Sequence, residues 1–504
     1  MGIAEEGRSL NLIRCAFIFV TAALVLVLLP GSVARFALAA VIAAGVGLLV
    51  RRCGRGSGCD RAAATIGALL FIWQLLCAYN IAFETGWDAG RIADAVKAYV
   101  CEYRNDMTSY YDYQRYPNNL LITFIEIFTL RVCRTFDIGM GLSPMPGMVL
   151  INCVVNTLAC ALVYMTAKLY VDEKYALCGY IAAALLFGIS PWTVIYYSDA
   201  LCLAVPLACF YLYAKPVPSR ARRSIRYAGC IVLGCVSYFI KPQCLIMLIA
   251  IFCCELARAH GLRRRFAALT LAAVLAGLTF AGTQTAIDAG RRSIGFSLDP
   301  ERKYGAAHFL MMGLNEETGG VYSANDVWYS STFATAAERT AGDLEKCRER
   351  LNEFGAAGIA RHLYKKMRII YGDGTFAWGM EGEFYRAVPE PPNSSLSPLL
   401  RSVFYNSSSN YRHFFAFEQI LWAGVLMMSL FSAFCTGCRR EGSMSALWLA
   451  LLGIAAYELL FEARARYLYI YAPVFCTAAA AGLKAWAGML SSLWVRLKAH
   501  GGTK

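Results

Sequence analysis

The sequence predicts an all-α polytopic membrane protein with about 12 transmembrane helices, added interfacial helices and a small extracytoplasmic subdomain. Three observations carry that prediction. Of the 504 residues, 58% are hydrophobic and only 16% charged, where globular proteins average about 45–50% and roughly 25%. Apolar runs near the roughly 20 residues that span a bilayer recur along most of the chain. Basic residues gather in short clusters between those runs, which is how topology is written into membrane proteins.

The predicted spans are 11–30, 33–50, 62–82, 146–168, 174–190, 199–214, 227–240, 243–257, 268–288, 415–435, 446–461 and 467–486. The run from Leu12 to Leu29 exceeds a signal-peptide core and is followed at once by another, so it reads as a retained span. Segment 119–135 is apolar on one side but carries Glu126, Arg131 and Arg134, and reads as an interfacial helix. Making it a full span would invert the next four spans and put Arg220, Arg222, Arg223 and Arg226 outside, against the positive-inside rule. With a cytoplasmic N-terminus, the Arg51, Arg220, Arg263 and Arg439 clusters and the basic C-terminus all lie inside. The expected address is the plasma membrane, with both termini cytoplasmic.

This topology divides the chain into three. Residues 1–288 form an N-terminal transmembrane module with a first outer loop at 83–118 and the interfacial helix 119–135. Residues 289–414 form an extracytoplasmic subdomain, and 415–504 the last membrane helices and a basic tail. Within the subdomain, Glu338 to Phe354 and Ala356 to Ile370 read as amphipathic helices separated by Gly355. The net charge of +14 does not indicate nucleic acid, because the basic residues form no stripe or face. Most of the 20 cysteines lie within apolar runs, where they act as packing residues. Cys435 and Cys438 make a CxxC without visible partners for a metal or redox site.

Polar residues at the predicted outer boundary are the candidates for chemistry. Asp88 follows Gly86-Trp87 where a span leaves the membrane, and Trp87 reads as an interface anchor. A carboxylate there can take a proton from a hydroxyl arriving from water while a lipid-borne donor approaches from the bilayer. The plainer reading is an N-cap for the following helix. Ser198-Asp199, Lys241-Pro242 and Glu462-Ala463-Arg464-Ala465-Arg466-Tyr467 fall on the same side. Charge grows on a polyprenyl phosphate as a sugar leaves it, and Lys241, Arg464 and Arg466 are the cations placed to stabilise it. Lys241 alone would equally snorkel to the interface.

In their order, Gly86-Trp87-Asp88, Tyr116-Pro117-Asn118-Asn119, Ser198-Asp199, Ile240-Lys241-Pro242 and the acidic and arginine residues before Tyr467 resemble the bacterial relatives of protein O-mannosyltransferases. Those are glycosyltransferase family 39 enzymes of the GT-C fold. His308 to Asn315, Gly320-Val321-Tyr322, Asn325-Asp326 and Gly372 to Phe376 resemble motifs of one Gram-positive branch, so the resemblance spans roughly 80–475. It implies inverting transfer of a sugar from a polyprenyl-phosphate-sugar donor to a glycan, glycolipid or protein acceptor at the outer face, with Asp88 as base. It also implies a second acidic residue, for which Asp94, Asp112 and Asp199 are the candidates. Lys241, Arg464 and Arg466 would meet the donor phosphate. Tyr116, Asn118, Asn119, His308, Asn315, Tyr322 and Asp326 would contact acceptor or sugar. No cofactor is expected, since the lipid-linked sugar is a substrate. No carboxylate cluster calls for a metal, although a divalent ion is compatible with distant relatives. A transporter or flippase of a lipid-linked saccharide, and a non-catalytic assembly subunit, are the competing readings.

Overall fold

The computed structural model describes residues 2–52, 58–104, 113–139, 143–258, 262–435 and 441–501. Most of it is helix, as expected where only a helix satisfies its own backbone inside hydrocarbon. Among the described residues the only β feature is an isolated bridge between Glu84 and Ala387.

Among the described residues, eight helices are long and apolar enough to cross a membrane: Asn11–Leu28, Val33–Arg52, Cys59–Ile81, Pro146–Ala167, Phe266–Ser293, Tyr411–Phe434, Ser443–Leu460 and Ala465–Lys498. Each overlaps a span predicted from sequence. The remaining predicted spans fall on shorter or more charged helices: Glu173–Ala183, Val205–Ala214, Arg220–Tyr238 and Leu245–Arg258. The first of these runs on into a π-helical turn, Ala184–Gly188. That turn frees backbone carbonyls, and polar side chains take them: Asn156 donates to Phe187 O at 2.8 Å and Gln74 to Gly188 O at 3.0 Å.

Tyr411–Phe431 and Ala472–Gly501 pack along each other at the centre, flanked by Val33–Arg52 and Glu173–Ala183. Leu262–Ser293 lies at the edge, with Leu271, Val274 and Leu278 exposed, as lipid-facing residues should be. The helix Leu120–Phe136 matches the segment predicted as interfacial. It buries Ile122, Glu126 and Leu130 against Asp88–Cys101 and Pro146–Ala167 and leaves Phe128 and Phe136 exposed.

In the 289–414 region the long helix Ala336–Tyr371 breaks at Gly355, whose φ of 55° and ψ of −177° only glycine adopts without strain. This is the break the sequence predicts. Thr335 and Glu338 form a reciprocal capping box at its start, at 3.2 and 3.1 Å. Lys366 anchors its far end to the membrane part by donating to the carbonyls of Gly313, Leu459 and Phe461 at 2.9, 2.9 and 2.6 Å. Burial pushes that ammonium down to about 8, opposed by Glu458 and Glu462. Cys435 is buried, while Cys438, Arg439 and Arg440 lie outside the described residues.

Candidate functional site at one end of the helix bundle

Chain direction alone gathers the predicted polar groups. Cys59–Ile81, Arg220–Tyr238 and Glu441–Leu460 run toward one end of the bundle, and Ser198–Leu201, Leu245–Arg258 and Ala472–Gly501 start back from it. The turns between them carry Asp88, Lys241, Arg464, Arg466 and Asp199.

Asp199 is the hub. Its fully buried carboxylate accepts Lys241 Nζ at 2.6 Å and Arg466 Nη1 at 2.9 Å. Arg466 also donates from Nε to Glu381 Oε1 at 2.9 Å, and Arg464 Nη2 lies 3.5 Å from the other Glu381 oxygen. The Arg466 guanidinium is 4.9 Å from the Trp87 ring centre and 4.8 Å from that of Tyr467, and Lys241 Nζ is 4.9 Å from the same tyrosine ring. Flat aromatic faces thus hold both cations where their charge is needed.

Asp88 is the first residue of the helix Asp88–Cys101, with Trp87 at the capping position, and no side chain caps this helix. Its carboxylate instead points to the cluster, with Tyr197 Oη 3.4 Å from Asp88 Oδ2 and 3.4 Å from Asn119 Oδ1. Burial holds the Asp88 carboxyl above the usual carboxylate range; Arg466 pulls it down and Glu381 pushes it up. Burial likewise raises the Glu462 carboxyl. The strand-like segment before Asp88 is strapped by the 383–387 loop: Gly86 N donates to Glu383 O at 2.9 Å, and a Cβ on Gly86 would stand 2.4 Å from the Glu383 carboxylate.

Other predicted residues are placed as follows. Asp94 pairs with Arg386 at 2.8 Å and so is held in the strap rather than beside Asp88. Asp112 lies outside the described residues. Asn119 is buried in the cluster and Asn118 is exposed beside it. Tyr116 is within electrostatic reach of Asp88 and of Tyr322, which is 51% exposed. His308, Asn315 and Asp326 are buried within the subdomain, where they hold one another's neighbours. His308 Nδ1 is 2.7 Å from Ser330 Oγ, which donates to Asp343 at 2.7 Å. Asn315 Nδ2 donates to Asp326 Oδ2 at 3.0 Å, and Arg350 Nη2 to Asp326 Oδ1 at 2.6 Å. Burial pushes His308 down to about 4, so its ring is neutral at pH 7. Tyr304 connects this network to Tyr116, with ring centres 4.4 Å from His308 and 5.6 Å from Tyr116.

Glu381 and the contact role of Tyr197 were not apparent from sequence. Glu381 stands in a long loop between Gly379 and Gly382 with no periodic pattern to mark it. Tyr197 belongs to the Tyr196-Tyr197-Ser198-Asp199 turn, and its only local signal is that neighbourhood.

A family model described as "Conserved hypothetical integral membrane protein" matches residues 18–485. The chain belongs to that family. No curated protein matches it. Among solved structures it is similar to ArnT from Cupriavidus metallidurans, in the apo state and bound to undecaprenyl phosphate. Each alignment is 13% identical, covers 86% of this chain and 76% of that one, and has a TM-score of 0.34.

In this integral membrane protein the cluster combines a half-buried carboxylate with three cations and two orphaned donors. Arg464 Nε and Trp87 Nε1 are buried and find no hydrogen-bond acceptor among the described residues. A buried guanidinium N–H left without an acceptor is costly, so this end of the protein is built to receive one. Arginines held by Glu381 and Asp199 present planar donors that suit a phosphate group.

Proposed function

We propose that this protein is an inverting glycosyltransferase that moves a sugar from a polyprenyl-phosphate-linked donor to an acceptor at the outer face of the plasma membrane. The observation that carries the reading is the convergence of Asp88 with Lys241, Arg464 and Arg466 at one end of the bundle, with the Arg464 Nε donor unpartnered. The prenyl chain lies between helices, and its phosphate meets Arg464, Arg466 and Lys241. As the bond from the anomeric carbon to the phosphate oxygen breaks, the growing negative charge is met by cations already oriented by Asp199 and Glu381, so little reorganisation is required.

Asp88 accepts the proton of the acceptor hydroxyl as that oxygen bonds to the anomeric carbon from the face opposite the phosphate. A carboxyl raised by burial is a stronger base once ionised, and Tyr197 orients it. Asp199 acts in this scheme by fixing Lys241 and Arg466 rather than by moving a proton. Tyr116, Asn119 and Tyr322 line the acceptor approach, and the 289–414 subdomain supports them through Tyr304. Asn118 extends the same edge, and His308, Asn315 and Asp326 keep the subdomain's shape.

The charged candidates Asp88, Asp199, Lys241, Arg464 and Arg466 gather at one end of the bundle, which favours transfer over transport. The test uses purified protein in liposomes with a labelled polyprenyl-phosphate-sugar. Transfer of label to an added acceptor, reduced by orders of magnitude in Lys241→Ala and Arg464→Ala, is expected, as for comparable charge-stabilising donors. Movement of labelled lipid between leaflets with no transfer would support the flippase reading instead. Losses below about threefold would be too small for a leaving-group role at ~1.4 kcal/mol per tenfold.

A further inference from the structure

The segments that bring Asp199 and Lys241 to the site carry, at their other ends, a second cluster of opposite balance. Arg220–Tyr238 has 19 residues, so its start lies roughly 28 Å from its Lys241 end at 1.5 Å per residue. There the end of Val205–Ala214, the start of Arg220–Tyr238 and the end of Leu245–Arg258 surround a cavity of 440 Å³. Among the described residues, four cations line it, Lys215, Arg223, Arg226 and Arg258, against one carboxylate, Glu255.

That carboxylate is fully used in building the inner wall. It accepts Tyr213 Oη at 2.8 Å and Tyr227 Oη at 3.4 Å, and pairs with Arg258 at 3.3 Å. Arg226 Nη1 donates to Lys215 O at 3.2 Å and closes the rim. The remaining positive charge sits at the worst place for it on the protein's own account. The first two turns of Arg220–Tyr238 hold Arg220, Arg222, Arg223 and Arg226 and no acidic residue, at the positive pole of the helix dipole. A bound anion would relieve that repulsion, and oriented backbone N–H groups at the same pole would add to its binding. Ile225 and Leu256, the sequence neighbours of Arg226 and Glu255, are exposed apolar side chains of the kind acyl chains cover.

We propose that this cavity is a binding site for the phosphate headgroup of an anionic phospholipid, seated at the end of the bundle opposite Asp88. The headgroup phosphate meets Arg223, Arg226, Lys215 and Arg258, and its acyl chains lie along Ile225 and Leu256. The basic cluster is thereby a specific lipid seat as well as a topology signal.

Native mass spectrometry of the full-length protein in neutral detergent, titrated with phosphatidylglycerol or phosphatidylcholine, tests this without any transfer assay. Phosphatidylglycerol is expected to be retained preferentially. Arg223→Gln with Arg226→Gln, both at the rim, should lower that preference about tenfold or more. Added salt should weaken phosphatidylglycerol retention while leaving phosphatidylcholine unchanged, a readout independent of the variant's folding. Equal retention of the two lipids, or a double variant that keeps the wild-type preference, would overturn the site. Inorganic phosphate displacing phosphatidylglycerol at equal concentration would assign the cavity to a free anion and overturn the lipid seat.

Discussion

Replacing Asp199 by Asn keeps the shape of the side chain and removes the charge that holds two cations. The wild-type carboxylate is fully buried and takes Lys241 Nζ at 2.6 Å and Arg466 Nη1 at 2.9 Å. Afterwards Arg466 still has Glu381 at 2.9 Å, whereas Lys241 has the face of Tyr467 at 4.9 Å. Removing one member of a buried ion pair costs about 3–5 kcal/mol, and the carboxylate left to Arg466 puts the expected loss near the lower figure, about 3 kcal/mol. Thermal unfolding in detergent, with and without a polyprenyl phosphate, reads the effect. The variant should melt several degrees lower, and the lipid should raise its Tm by more than it raises that of wild type, because the phosphate replaces the missing negative charge. A variant that melts with wild type, or gains no more from the lipid, would show that Asp199 is not what holds these cations.

Two further outcomes follow from the same geometry. Glu381→Gln removes the charged partner that orients Arg466 Nε and Arg464, so a polyprenyl phosphate should bind several-fold more weakly, measured by scintillation proximity or native mass spectrometry; unchanged or tighter binding would mean Glu381 competes with the phosphate for the arginines and does not position them. Because burial holds Asp88 above the usual carboxylate range, transfer should fall with decreasing pH along a limb lying above the ordinary Asp value of about 3.9, and a limb at or below that value would contradict its role as base. The stability term has the opposite sign. The folded chain binds this proton more tightly than the unfolded chain, so the contribution is full below the unfolded value and is lost as pH rises through the folded one.

What was legible in the sequence was whatever has a local period or a local partner. Apolar runs located the helices, because burying or immersing a helix in lipid needs unbroken apolar length. Gly355 marked the break in Ala336–Tyr371 because a positive φ is a one-residue property. The charge pattern that assigned Leu120–Phe136 to the interface also fits a helix with one buried face and exposed phenylalanines. The candidate site was legible as a set of boundary residues, and less so as contacts. Asp199 meets Lys241 from 42 residues away and Arg466 from 267, separations with no periodic trace.

The carboxylates that hold the arginines were the least visible part. Glu381 sits in an aperiodic loop, and its role appears only once that loop packs across Gly86. Asp94, a plausible second acid by its nearness to Asp88 in sequence, is drawn off by Arg386, 292 residues later. Trp87, read as an interface anchor, is buried under the Arg466 guanidinium instead. Its burial follows from a cation–π contact that sequence spacing cannot reveal.

The decisive experiment is single-turnover sugar transfer by Asp88→Asn, with donor affinity measured in parallel. Asn preserves volume and a hydrogen bond to Tyr197 but cannot accept the acceptor's proton, so the rate should fall by about 10²–10⁴ while lipid-phosphate affinity stays within about threefold of wild type. Transfer at near wild-type rate would remove Asp88 as the base, and with it the proposed arrangement of the site.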